Sequence, residues 1–153
     1  MPACARTSGT KADFGFAFFR WCAPIAGTVH FFAMDFIQTG RSPLFSSEPP
    51  NPFGLLAVTA FFCWPYWILP VASLRIRSLL ALWITLGAMI FVGTWEWFLV
   101  IQSTRSTKIF SIYAVPIKQF FVGAATLLGT VGLSMLHGAV CRRFSSQRSH
   151  HTR

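Results

Sequence analysis

The acid Glu96 stands between Trp95 and Trp97 inside a 24-residue apolar run, LLALWITLGAMIFVGTWEWFLVIQ. A carboxyl desolvated among aromatic rings is held toward its neutral form, and a neutral acid can give a proton to an apolar substrate. A base must take one back. Two candidates lie in another apolar run, His30 and Asp35. Counting rise from the middle of each run puts His30 roughly 5 Å, Glu96 roughly 9 Å and Asp35 roughly 13 Å from the midplane. The two runs have the same direction, so all three groups fall in one half of the bilayer. His30 and Asp35 are about 140° apart on their helix, so both cannot face Glu96 squarely. The chemistry these residues suggest is protonation and deprotonation of a hydrophobic molecule, with Glu96 as acid and His30 or Asp35 as base. Trp64, Tyr66, Trp67, Trp95 and Trp97 are the expected wall of the substrate cavity, where aromatic faces would also steady a carbocation.

The elements that must position them follow from composition. Of 153 residues, 54% are hydrophobic and only 11% charged, whereas soluble chains average about 25% charged. Four stretches are long and apolar enough to span a bilayer: residues 16–37, 53–73, 79–102 and 115–140. The expected fold class is all-α, a polytopic membrane protein with a four-transmembrane-helix bundle. Residues 1–153 form one membrane domain, with a polar N-terminus (1–13) and a basic tail (141–153). No room is left for a separate nucleotide-binding domain. Pro65 and Pro70 are expected to make the second span irregular.

The net charge is +9. The basic residues cluster at span ends, where they set orientation and meet anionic lipid; no basic stripe interleaves with aromatics as nucleic acid would require. Placing both termini in the cytoplasm puts nine Lys and Arg inside and leaves Arg41, Arg105, Lys108 and Lys118 outside, the arrangement the positive-inside rule favours. The membrane would be the endoplasmic reticulum in a eukaryote or the inner membrane in a bacterium.

No cofactor is expected. The four cysteines are scattered and show no zinc spacing. His30 and His137 lie toward opposite faces, too far apart to share one haem iron. In the fourth span, Ala125 and Gly129, and Ser134 and Gly138, recur at four-residue spacing, a pattern that lets helices approach closely. That face is the expected surface for a homodimer or a larger membrane complex. It supports an alternative reading: a non-catalytic accessory subunit of a transporter or respiratory assembly. A third reading is a proton-coupled small transporter, built as a dimer with Glu96 as the coupling group, although the sequence lacks the internal repeat that would favour it.

The stretch from Ser42 to Ala72 resembles the EXPERA (emopamil-binding) family in Pro43-Leu44, Glu48-Pro49-Pro50, Phe53, Pro65-Tyr66-Trp67 and Pro70. His30 and Asp35 are similar in kind to that family's first-span histidine and acid, and Ser111-Ile112-Tyr113-Ala114 is similar too. The resemblance implies four spans, cytoplasmic termini, an aromatic cavity for sterols or other amphiphiles, and in some members double-bond isomerisation by proton transfer. The chain departs from the pattern in a shorter first loop, in lacking the second-span acid, and in having no counterpart of the third-span histidine. Trp95-Glu96 is also similar to the intramembrane acids of fungal terpene cyclases. The expected activity is thus of isomerase or terpene-cyclase type, on a sterol or isoprenoid.

Overall fold

The computed structural model describes residues 8–39, 51–102 and 108–150. It is all-α, with four helices: α1 (Ser8–Thr39), α2 (Pro52–Arg75), α3 (Leu79–Gln102) and α4 (Lys108–His150). The loop expected over 38–52 lies largely outside the described residues.

Local chemistry sets several of the ends. Asn51 caps α2, its side-chain oxygen accepting from the Phe53 N–H at 3.1 Å, and Pro52 fits the first turn, where an N–H would have no helical partner. Arg75 complements the negative C-terminal end of α2. A three-residue turn, Ile76 to Ser78, then reverses the chain, and the Ser78 hydroxyl accepts from the Ala81 N–H to start α3. The helix α2 runs through both Pro65 and Pro70. The α4 helix is longer than its expected span at both ends, taking in Lys108 to Ala114 and continuing into the tail as far as His150.

Among the described residues, three segments are long and apolar enough to cross a membrane: Pro52–Arg75, Leu79–Gln102 and Ile112–Cys141. The α1 helix is long enough but does not join them; Arg20, His30 and Asp35 dilute its apolar run.

Each helix packs mainly on two others, in the cyclic order α1, α2, α4, α3. The registers are consistent. Leu79 lies against Gly15, Trp83 against Phe19 and Thr94 against His30, so α1 and α3 run parallel with a constant offset of 64 residues. Antiparallel α3 and α4 meet at Gly93 with Gln119 and at Met89 with Gly123. On this register the start of α3 is level with about residue 133 of α4. The last turns of α4 therefore project past the α2–α3 turn by about 25 Å at 1.5 Å per residue.

The interior has two apolar cores. One holds Phe19, Ala23, Tyr66, Leu69, Leu82, Leu86 and Met89. The other holds Phe31, Phe62, Cys63, Trp97 and Val115. Between them lies a polar layer. The outer surface is itself apolar: Trp21, Phe53, Leu80, Phe91, Leu128 and Met135 are each at least 70% exposed, far more than a water-facing surface of this size usually carries.

Candidate functional site

The polar layer takes one side chain from every helix. Gln119 of α4 donates from Nε2 to the Tyr66 hydroxyl of α2 at 2.8 Å. That hydroxyl stands 3.4 Å from Nδ1 of His30 on α1. Nε2 of His30 lies 2.9 Å from Oγ1 of Thr94 on α3. The Thr94 hydroxyl donates to the Ile90 carbonyl at 2.9 Å, so toward His30 it acts as acceptor. This fixes the direction of the whole chain. His30 carries its proton on Nε2 and gives it to Thr94, Nδ1 accepts from the Tyr66 hydroxyl, and the Tyr66 oxygen accepts from Gln119. Tyr66 and Gln119 are buried, at 1% and 3% exposure. Such groups are costly to bury unless bonded, and among the described residues no buried side-chain nitrogen or oxygen lacks a partner.

Two glycines make the layer possible. A Cβ on Gly93 would collide with the Gln119 amide and approach Cε1 of His30 to 2.9 Å. A Cβ on Gly27 would collide with the Tyr66 ring. Both positions are close-approach points at which any side chain displaces a member of the chain.

The layer reaches the surface at Thr94. That residue lines an open groove of about 540 Å³ along α3, together with Gly87, Ile90, Phe91, Trp95 and Phe98. Nothing lies within 4 Å of a Cβ built on Gly87, so the groove floor is open there. A molecule in this groove touches Thr94 and, one hydrogen bond further, Nε2 of His30. A second groove of about 460 Å³ runs between α2 and the start of α4, lined by Phe61, Phe62 and Tyr113 among others; it holds none of the polar layer.

Glu96 is two residues beyond Thr94 and so points about 200° away from it. Its carboxylate is ion-paired with Nζ of Lys118 on α4 at 2.7 Å. The expected partners of Glu96 were His30 or Asp35; the helix register does put Glu96 level with residues 30–35 of α1, but its salt bridge is made to the opposite neighbour. Lys118 is half-exposed and Glu96 is largely covered. Asp35 is half-buried on α1.

The five aromatic residues expected to wall one cavity are distributed. Tyr66 is in the polar layer. Trp97 is buried in the second core against Phe31 and Phe62. Trp64 packs on Phe120, with ring centroids 4.9 Å apart. Trp67 faces outward. Trp95, 56% exposed, lines the Thr94 groove.

Gln119, Thr94, Gly27, Gly93 and Lys118 carry this site and were not singled out from the sequence. Gln119 and Lys118 had a signal: polar side chains inside an apolar span are rare and face partners. Thr94 and the glycines had none, because small residues are ordinary in such helices.

Among the described residues no group of three or more His, Cys, Asp or Glu side chains is close enough to hold a metal ion. His137 lies 3.6 Å from Cys141 on the exposed far part of α4. Comparisons with family models, with curated proteins and with solved structures each returned no match.

Proposed function

We propose that the chain is a small multi-pass membrane protein whose polar layer is an intramembrane acid/base centre for a hydrophobic small molecule of sterol or isoprenoid type. The observation that carries this reading is the directed chain Gln119–Tyr66–His30–Thr94, drawn from all four helices, whose last side chain lines an apolar groove. Intramembrane polar groups are costly and mark function by default. Here they are also organised so that a histidine sits one hydrogen bond from the groove.

The apolar exterior supports the membrane assignment, and α1 completes four spans. Its His30 is bonded inside the bundle, while Arg20 and Asp35 lie toward opposite ends. Four spans put both termini on one side, and the excess of Lys and Arg there makes that side the cytoplasm.

In the chemical reading, the Thr94 hydroxyl turns from the Ile90 carbonyl to the groove and gives its proton to the substrate, takes the Nε2 proton of His30 in its place, and His30 takes the Tyr66 proton on Nδ1. The Gln119 amide steadies the phenolate left behind, and the relay runs in reverse when the substrate returns a proton from another carbon. Glu96, paired with Lys118, sets the charge beside the layer, and Trp95 contributes an aromatic face to the bound molecule. Proton transfer at such a centre suits double-bond isomerisation or cyclisation, in keeping with the resemblance of the Ser42–Ala72 stretch to the emopamil-binding family. A photoreactive sterol or isoprenoid probe tests the site. Labelling is expected on α3 between Gly87 and Phe98 and is expected to fall in Gly87→Leu, which fills the groove floor without a clash. Labelling that is unchanged in that variant contradicts the groove assignment.

A second reading is favoured by one observation. Ala125, Gly129 and Ser134 are exposed, and among the described residues nothing beyond the helix's own adjoining backbone lies within 4 Å of a Cβ built on Gly129 or Gly138. The small-residue face of α4 is therefore unused within the bundle, as an accessory subunit docking through α4 would require. Crosslinking from α4 positions in native membranes tests it: a discrete heteromeric product supports the subunit reading, and none argues against it.

A further inference from the structure

We infer that His137 and Cys141 are one half of a zinc site, and that a second copy of this chain supplies the other half across a two-fold axis. This goes beyond the proposed function and rests on neither the acid/base centre nor the subunit reading.

One helical turn separates the two groups, and the structure brings Nε2 of His137 to 3.6 Å from Sγ of Cys141. A tetrahedral zinc ion holds sulfur at about 2.3 Å and nitrogen at about 2.0–2.1 Å, so the nitrogen–sulfur edge of its coordination shell is about 3.6 Å. The pair already stands at the spacing the ion requires, and zinc replaces the proton shared between them. Imidazole and thiolate are zinc's usual donors. The α4 helix carries no Asp or Glu, so a hard cation such as magnesium finds no carboxylate on it. Both side chains are exposed. On the register above, the start of α3 is level with about residue 133, so Cys141 lies about 12 Å beyond it. The row that α4 turns into the bundle through Val115, Gln119 and Gly123 leads there. Carried on at steps of three and four residues, it reads Thr126, Thr130, Ser134, His137 and Cys141.

Two ligands are too few, because a structural zinc site takes four. Among the described residues no third His, Cys, Asp or Glu joins the pair. His150, on the same continuous helix, is about 13 Å of rise past Cys141. A second copy related by a two-fold axis doubles the pair to a closed set of two cysteines and two histidines. The two thiolates then cancel the charge of the ion. Beside the pair, Ser134 and Gly138 are small, and among the described residues nothing beyond the helix's own adjoining backbone lies within 4 Å of a Cβ built on Gly138. A second helix can therefore come close on this side.

The test uses the full chain purified in detergent, stripped with a chelator and titrated with cobalt(II) and then zinc. Absorption of tetrahedral, thiolate-bound cobalt reads the site, and native mass spectrometry reads the oligomeric state. One metal per two chains is expected, with a dimer that forms on adding zinc and parts on adding chelator. Zinc is also expected to slow maleimide modification at Cys141 about tenfold. Cys141→Ser and His137→Gln are each expected to abolish the cobalt absorption and the zinc-dependent dimer without lowering the unfolding temperature, since both side chains are exposed. His150→Gln/His151→Gln is expected to leave both signals intact, which separates this site from the tail histidines. One metal per chain, octahedral cobalt without thiolate absorption, a dimer indifferent to zinc, or equal loss in the tail-histidine variant overturns the inference. None of these outcomes touches the polar layer, so a failure here and a failure of the acid/base reading are distinguishable.

Discussion

Removing the Tyr66 hydroxyl isolates the polar chain from packing. Tyr66→Phe keeps the ring against Gly27 but strands the Gln119 amide and frees Nδ1 of His30. A buried donor left unbonded costs about 1–3 kcal/mol. Thermal unfolding in detergent is expected to show that loss, and a variant as stable as the parent contradicts the hydrogen-bond assignment. The glycines supply a sharper contrast. Gly93→Ala must displace Gln119 or His30 and is expected to cost about 1–3 kcal/mol through overpacking, whereas Gly129→Ala meets open space and is expected to be neutral or slightly stabilising. At this scale the sequence was partly legible. His30 and Glu96 stand out because an ionisable group in an apolar run is conspicuous. Their partners do not, because which neighbour a side chain meets depends on helix rotation. A rotation that places Thr94 toward α1 turns Glu96 toward Lys118, and nothing local in the sequence states that angle.

Helices are the scale at which the sequence is most informative. The third span, 79–102, coincides with α3, and the second differs from α2 by a residue or two, because long apolar runs bounded by Pro, Asn and Arg leave little freedom. The ends of α4 were less legible: residues 108–114 and 141–150 are polar enough to read as connector and tail, yet continue the helix. The small-residue pattern of α4 was legible as a pattern, but its direction was not. Within the bundle α4 presents Val115, Gln119 and Gly123 inward, leaving Gly129 and Gly138 open. Gly129→Leu is therefore expected to leave the unfolding free energy of the isolated chain unchanged within about 0.5 kcal/mol. A large loss would show that this face is buried within the chain after all.

At the scale of the whole molecule, composition settles the helical class and the apolar exterior, since 54% hydrophobic residues cannot be hidden inside four helices. Cyclic order and register are set by side-chain fit across the chain and are not written in any one segment. They also predict thiol chemistry. Cys63 is fully buried and bonded toward the Gly27 carbonyl, whereas Cys141 is exposed on the projecting end of α4. An impermeant maleimide is expected to label Cys141 only from the cytoplasmic side and to leave Cys63 unlabelled until the protein is denatured. Labelling of Cys141 from outside would reverse the orientation.

The central claim is that His30, held by Tyr66 and facing Thr94, serves a hydrophobic molecule. The most direct test compares solvent extracts of native-host cells carrying wild-type protein or His30→Gln, profiled by mass spectrometry at matched levels of inserted protein. The account predicts a sterol- or isoprenoid-class compound that accumulates in one and is depleted in the other, with Glu96→Gln giving a smaller change. Identical lipid profiles, with both proteins folded and in the membrane, would contradict it.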